Sequence, residues 1–406
     1  MRRISIYLIL LLIALFQFVS IALPPGNADL ISIQSLALDI RRGDIGLLYP
    51  GADFIHNDEW IAHHEANLNR LGGRGEPNWC FYPPLIPWLV APLANVNVET
   101  WRLVWAGIQI ALIVGFAFLI RRLLLRNDTG KPPSLILIFA LMVGSYPLAR
   151  SVELGQTSLA IAVLIWWGTY SAIEHSPFRN GVTVGVAAFI KPFLIAIEMP
   201  DVFRRKWLSP IIAVAAWITL IVLSLVAVGL NAHREYADFL ITLGNSQTAY
   251  SGNQSLFAGL LRLFTDLPVA DYGFLTDYQL AASAKILAVI IIAVAVWGQW
   301  KSNAHSILSA GLWLSAVLLA LPISWEHHLV FLLPVVALMW LRSETSRAKL
   351  MIGIITVLLS IYWEPLSGDH GIGRVIASFP LFGNLVLFGW LLVLHIRSKP
   401  QFALGR

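Results

Sequence analysis

Residues 181–193 read Gly-Val-Thr-Val-Gly-Val-Ala-Ala-Phe-Ile-Lys-Pro-Phe, and they decide how this chain is read. An otherwise apolar run carries one lysine, Lys191, followed at once by Pro192, which removes a backbone donor and breaks a helix. Arg179 flanks the run on one side and Arg204-Arg205-Lys206 on the other. Basic residues favour the cytoplasmic face, so both flanks belong on the same side. Residues 181–203 are therefore expected to form a re-entrant hairpin. Each arm of roughly 11 residues spans about 16 Å of helix at ~1.5 Å per residue. Lys191-Pro192 then sits at the tip, where a lysine and irregular backbone are tolerated only if they line a protein cavity. A single tilted span with Lys191 snorkelling to the interface is the plainer alternative.

The surrounding chain demands a membrane. Of its 406 residues 57% are hydrophobic and 13% charged, against roughly 45–50% apolar and about 25% charged in soluble domains. Apolar runs long enough to span read at 4–23, 101–120, 133–149, 157–173, 207–230, 279–299, 304–323, 328–341, 350–363 and 379–396. The first is taken as an uncleaved span, because it ends in Leu-Pro-Pro-Gly without a small-residue cleavage site. Residues 85–96 are too short and proline-rich to cross and read as a re-entrant or interfacial piece. The expected fold is all-α: a bundle of about ten transmembrane helices with short re-entrant segments, forming one unit over residues 1–406.

With both termini cytoplasmic, 17 of the 28 basic residues fall in inner segments and 18 of the 23 acidic residues outside. Two long loops, 26–84 and 231–278, then lie on the extracytoplasmic face and are expected to carry amphipathic helices. The net charge of +5 is thus a topology signal rather than a nucleic-acid footprint. The single cysteine, Cys80, excludes an intramolecular disulfide and a cysteine-rich metal site. His63-His64-Glu65 has the look of a metal site but no matching ligand spacing, and reads as a helix surface.

The outer connections are more polar than linkers require. They include Asp29, Phe81-Tyr82-Pro83-Pro84-Leu85, Arg150 to Gln156, Asn253-Gln254-Ser255-Leu256 and Ser324-Trp325-Glu326-His327-His328. Each has a bland reading. Asp29 can cap the helix that follows it, Gln156 and Asn253 can satisfy backbone where helices break, and Tyr82-Pro83-Pro84 can be a turn. His327 or His328 can be an interfacial imidazole bonded to backbone carbonyls, the reading favoured for His328. Converging, they place a carboxylate, an imidazole, a cation, amides and aromatics around one cavity.

These motifs, in this order from about residue 28 to 340, resemble glycosyltransferase family 87 (DUF2029), transferases of GT-C type. The matching stretches are Phe81 to Leu85, Gly155-Gln156-Thr157-Ser158-Leu159, Gly185 to Pro192, Asn253 to Leu256, and Ser324 to Leu329. The chain departs at Ser158, where the family usually has Asn. The resemblance implies a hexosyltransferase in the plasma or inner membrane, moving a sugar, usually mannose, from a polyprenyl-phosphate donor. The acceptor is a glycolipid or glycan on the extracytoplasmic face, and the anomeric centre inverts. No cofactor or metal is called for.

The family's catalytic Asp lies just after the first span, ahead of an amphipathic helix and a Gly…Tyr-Pro. Asp29-Leu30, followed by Gly43 to Tyr49-Pro50, fits that pattern, with Asp53 and Asp58 as rivals. Such a reaction needs a base for a sugar hydroxyl and a cation for the departing phosphate. Asp29 is expected as base, Lys191 with Arg150 at the phosphate, and His327 hydrogen-bonded to the phosphate or the base. Gln156, Asn253, Gln254, Tyr82 and Trp325 are expected against the substrates. A transporter or lipid flippase is the alternative class, but it more often shows a repeat between halves, and none is visible.

Overall fold

The computed structural model describes residues 2–23, 27–51, 57–72, 81–126, 134–270, 273–275, 278–300, 302, 306–361, 363 and 366–398. Among them all regular structure is helical, and the only β pairing is two isolated bridges, Gln247 to Leu275 and Asn253 to Trp325.

In chain order, α1 (Arg2–Ala22) is followed by α2 (Ala28–Arg42), α3 (Asp58–Arg70) and α4 (Leu85–Val90). The bundle begins with α5 (Val98–Leu125), α6 (Leu135–Val143), α7 (Tyr146–Glu153), α8 (Ser158–Ile173) and α9 (Pro177–Ile190). A 3-10 helix, Pro192–Glu198, leads to α10 (Met199–Phe203) and α11 (Leu208–Val228). Then come α12 (Leu230–Asn245), α13 (Leu256–Phe264), α14 (Tyr278–Trp300) and α15 (Ser306–Ala320). A second 3-10 helix, Glu326–Leu332, runs into α16 (Leu333–Arg342), followed by α17 (Ser346–Ser360), α18 (Ile372–Ile376) and α19 (Phe379–Arg397).

Among the described residues, four helices have the length and apolarity to cross a membrane: α5, α11, α14 and α19. The expected span 133–149 is instead the bent pair α6 and α7, which turn by 63° at Gly144-Ser145. Pro147 stands in the first turn of α7, where a missing donor costs nothing, so a new helix starts there. That helix runs on to Glu153, through most of the stretch expected to be a connection. The described part of α1, α8 and α15 are shorter apolar helices. The expectation of about ten full spans is thus met by fewer helices of spanning length, with shorter or broken pieces between them.

The segment around Lys191 turns back on itself. At its start, the Asn180 side chain lies 3.5 Å from Asp201 Oδ2 and 2.7 Å from Ser209 Oγ. Residues 180 and 201 thus stand side by side, with Lys191 at the far end of the excursion. The rising arm α9 packs along α11 through Gly181 and Gly185. A Cβ on Gly181 would lie 2.6 Å from the Ser209 carbonyl oxygen, and one on Gly185 2.5 Å from that of Ala213. Two glycines four apart let the backbones approach closely, as in small-xxx-small helix pairs.

Helix α2 is no surface helix. Every residue from Asp29 to Asp39 is buried, covered by α3, α4 and the short 3-10 turn Ala91–Leu93. The described parts of the first loop thereby form a cap seated on the bundle.

Candidate active site

The start of α2 is seated by the turn after α7. Asn27 N–H donates to the Glu153 carbonyl at 2.7 Å and Asp29 N–H to Leu154 at 3.1 Å. Gly155 has φ +69°, and a Cβ there would come 2.6 Å from Leu30 Cβ, so only glycine lets α2 approach. The next residue, Gln156, then meets Asp29. This gives the Gly-Gln motif a physical meaning: one residue makes room and the other makes contact.

Asp29 lies in the first turn of α2, where exposed N–H groups favour a negative charge. It is not the helix cap, since Asn27 holds that position. Its Oδ2 accepts from Gln156 Nε2. Gln156 Oε1 in turn accepts from the Tyr82 hydroxyl at 2.6 Å, and Thr157 Oγ1 donates to that hydroxyl at 3.2 Å. Donors therefore run one way, from Thr157 through Tyr82 and Gln156 to the carboxylate. Tyr82 is fixed from behind as well, because the Tyr49 hydroxyl donates to its carbonyl at 2.7 Å.

Opposite stands Lys191, placed by the break between α9 and the 3-10 helix after it. Its Nζ is 2.8 Å from His328 Nε2 and 5.9 Å from the centre of the Tyr82 ring. Its charge interacts with Asp29. A protonated lysine has no acceptor, so His328 accepts at Nε2 and carries its own proton on Nδ1. The His328 ring is held between Phe193, at 5.8 Å, and Phe331, nearly parallel at 5.9 Å.

Between these groups lies a cavity of about 210 Å³. Asp29, Tyr82, Gln156, Lys191, Trp325 and His328 give it a polar, aromatic lining. Ile190, Phe193, Leu240, Leu243, Leu321 and Ile323 add apolar residues to that lining. Among its described lining residues Asp29 is the sole carboxylate and Lys191 the sole ammonium or guanidinium.

Five expected site residues therefore meet: Asp29, Tyr82, Gln156, Lys191 and Trp325. Four others are placed elsewhere. His327 was expected at the phosphate or the base, but the imidazole that lines the cavity is His328. In a 3-10 helix with three residues per turn, adjacent side chains point about 120° apart, so only one of the pair can face Lys191. Both His327 ring nitrogens are buried without a hydrogen-bond partner among the described residues, although the ring feels the charges of Lys191 and Arg150.

Arg150 does not line the cavity. It pairs with Glu153 at 2.5 Å and with Glu326 at 3.0 Å, tying α7 to the His-His segment. Asn253 is fully buried and its amide serves the backbone. Oδ1 accepts from Ser324 N–H at 2.9 Å, and Nδ2 donates to the Pro322 carbonyl at 3.1 Å. Gln254 Nε2 donates to the Ala377 carbonyl at 3.0 Å, and Oε1 accepts from Leu381 N–H at 2.9 Å. The Asn253 amide sets the run that delivers Trp325, and the Gln254 amide ties the same loop to the start of α19. Ser158 is buried and makes no side-chain hydrogen bond among the described residues. Asp58 is exposed in the first turn of α3, away from the cavity, and Asp53 lies outside the described residues.

His63-His64 is no helix surface either. His63 Nε2 is 2.9 Å from Asp39 Oδ1, and buried His64 bonds Ser35 Oγ at 2.6 Å and the Leu47 carbonyl at 2.9 Å. Burial pushes His64 down to about 4, and the hydrogen bond to Leu47 opposes that. Burial also raises Asp39 above its ordinary value, against hydrogen bonds from His63 and Asn67. Ser35, His64 and Asp39 do not make a nucleophilic triad. The same His64 nitrogen faces both partners, whereas a triad uses opposite ring nitrogens.

A profile of glycosyltransferase family 87 matches residues 79–324. The chain belongs to glycosyltransferase family 87. Two similar proteins share one description, polyprenol-phosphate-mannose-dependent alpha-(1-2)-phosphatidylinositol pentamannoside mannosyltransferase. That of Mycobacterium tuberculosis (strain CDC 1551 / Oshkosh) is 26% identical over 273 residues, 66% of this chain and 59% of the relative. That of Mycolicibacterium smegmatis (strain ATCC 700084 / mc(2)155) is 26% identical over 274 residues, 64% and 60% respectively. The match thus spans about three fifths of either relative's length. The family 87 match takes in Tyr82, Gln156, Lys191 and the Asn253 segment and ends at Ser324. Asp29 and His328 lie outside it and are joined to those residues by the fold.

Proposed function

We propose that the chain is a membrane mannosyltransferase that uses a polyprenyl-phosphate-linked sugar and works on the extracytoplasmic side. The observation that carries this is that, among the described lining residues, one carboxylate, Asp29, and one cation, Lys191, share a cavity whose lining combines polar and apolar residues. The apolar residues suit the first isoprene units of the donor, and the polar ones suit a sugar phosphate.

The chemistry follows from the two charges. Asp29 takes the proton from an acceptor hydroxyl as the oxygen attacks the anomeric carbon. The bond from that carbon to the phosphate oxygen breaks, and the polyprenyl phosphate leaves with its extra negative charge beside Lys191. Retention would call for a second carboxylate to form a glycosyl-enzyme. With Asp29 as the one carboxylate among the described lining residues, a single displacement with inversion is the reading we favour. The Thr157–Tyr82–Gln156 relay holds Asp29 in place, and Tyr82 and Trp325 offer ring faces to the sugar. Mannose as the donor sugar and a glycolipid as the acceptor rest on the relatives' descriptions.

The test is a membrane assay with a panel of polyprenyl-phosphate sugars, reading out glycosylated lipids. Transfer from the mannose donor, lost in Asp29→Asn, is the expected result. Movement of donor across the bilayer without any glycosylated product would overturn it in favour of a flippase.

A further inference from the structure

A second cavity, larger than the first, lies at the opposite end of the bundle. Helix α8 begins beside Gln156 and ends at Glu174, which pairs with Arg126 at the end of α5 at 2.7 Å. The ends of α5 and α8 therefore stand about 24 Å of helix away from the Asp29 site, at ~1.5 Å per residue. There, α5, α6, α16 and α17 leave a groove of about 330 Å³. Its lining is apolar, including Leu124, Ile138, Val336, Leu341 and Val357. The polar exception, Thr356, has its hydroxyl spent on the Ile352 carbonyl at 2.7 Å.

Gly353 opens the groove. It lies inside α17, where glycine weakens a helix. Its backbone is ordinary, and nothing lies within 4 Å of where a Cβ would stand. Neither a turn nor close packing requires glycine there; what it leaves is space. At the rim, Trp340 is 41% exposed and Arg342 follows the lining residue Leu341 directly. Lys349 stands one turn before Gly353 on the same face of α17. Residues 342–349 carry Arg342, Arg347 and Lys349 against Glu344, so the rim is net basic.

We propose that this groove binds one anionic phospholipid, with an acyl chain between α6, α16 and α17 and its headgroup phosphate at Lys349 and Arg342. An acyl chain matches an apolar-lined groove of this volume, and basic residues beside it select a negative headgroup. The site is independent of the Asp29 cavity, and it makes the leaflet opposite that cavity a source of a structural lipid.

The test uses the purified full chain reconstituted in equal phosphatidylglycerol and phosphatidylcholine, then delipidated stepwise and read by native mass spectrometry. The wild type should retain one phosphatidylglycerol about tenfold more tightly than phosphatidylcholine. Gly353→Phe, whose ring enters the groove, should lose that retained lipid. The exposed double variant Arg342→Gln with Lys349→Gln should keep a lipid and lose the headgroup preference. Equal retention of the two lipids by the wild type would overturn the proposal, as would an unchanged bound phosphatidylglycerol in Gly353→Phe. Should Gly353→Phe fail to fold, the charge variant decides: an undiminished preference for phosphatidylglycerol would sink the headgroup site.

Discussion

Lys191 Nζ lies 2.8 Å from His328 Nε2, at the junction of two helix breaks 137 residues apart in the chain. One break falls at Lys191-Pro192, and the other is the 3-10 helix that opens at Glu326. Holding a flexible lysine side chain by an imidazole that is itself clamped between Phe193 and Phe331 reduces the freedom it must lose on binding phosphate. His328→Ala should therefore weaken donor binding, by less than Lys191→Met. His327→Ala should weaken it less than either, since that ring does not reach the cavity. Donor affinities of the three variants, measured in one detergent, check the order; an equal loss for the two histidines would refute the assignment.

Asp29→Asn is nearly isosteric and can still accept from Gln156. It should reduce turnover by about 10²–10⁴, the usual span of general-base catalysis, while leaving donor affinity within twofold. Single-turnover rates at saturating donor make the measurement. Substantial turnover in this variant would remove Asp29 as the base.

Gln156→Leu tests the relay. It strips the carboxylate of its amide donor and leaves the Tyr82 hydroxyl without its acceptor, both buried. A lost buried partner costs about 1–3 kcal/mol. Turnover should fall roughly tenfold, or about 1.4 kcal/mol, and Tyr82→Phe in the same background should add little, because the two act in one chain. Strictly multiplicative losses would show that the groups act separately.

Much of this site was legible because its residues are of types that a membrane interior tolerates only for a reason. Lys191 and its proline and the flanking arginines each have a consequence that spacing exposes, whereas the Gly-Gln pair, like Asp29, is marked by the family resemblance. What spacing could not reveal was direction and competition. His327 and His328 are chemically equal in the sequence, and only the tight turn of a 3-10 helix chooses between them. Arg150 looked available because its partner, Glu326, is 176 residues away. Asn253 and Gln254 looked like ligands for substrate, yet their amides are consumed by carbonyls and N–H groups from distant loops. The bend between α6 and α7 had a local cause in Pro147, but hydropathy averaged over a window hides it.

The close contact of α9 with α11 should make Gly185 intolerant. A Cβ there would lie 2.5 Å from the Ala213 carbonyl oxygen and 2.8 Å from Ala216 Cβ, so Gly185→Leu must separate the helices. Overpacking of this kind costs about 1–3 kcal/mol. Because Lys191 lies at the end of α9, donor affinity should fall along with thermal stability in detergent. A variant as stable as the wild type would mean that the helices can part freely.

The first-loop clasp predicts a pH response away from the chemistry. Burial holds His64 neutral down to about pH 4, whereas the unfolded chain protonates it near 6.5. Between those values the unfolded state binds the extra proton, so His64 favours folding fully above pH 6.5 and progressively less on acidification. From pH 6.5 to 5 the loss is about 2 kcal/mol. Asp39 acts in the opposite sense: its raised value makes its burial cost complete at higher pH and relieved by protonation. The net slope is therefore shallower than His64 alone would give. Hydrogen exchange of the α3 amides, corrected for intrinsic rates, should show faster opening at pH 5 than at pH 7. His64→Gln, which cannot titrate, should flatten or reverse that difference. An unchanged pH dependence in the variant would place the titrating group elsewhere.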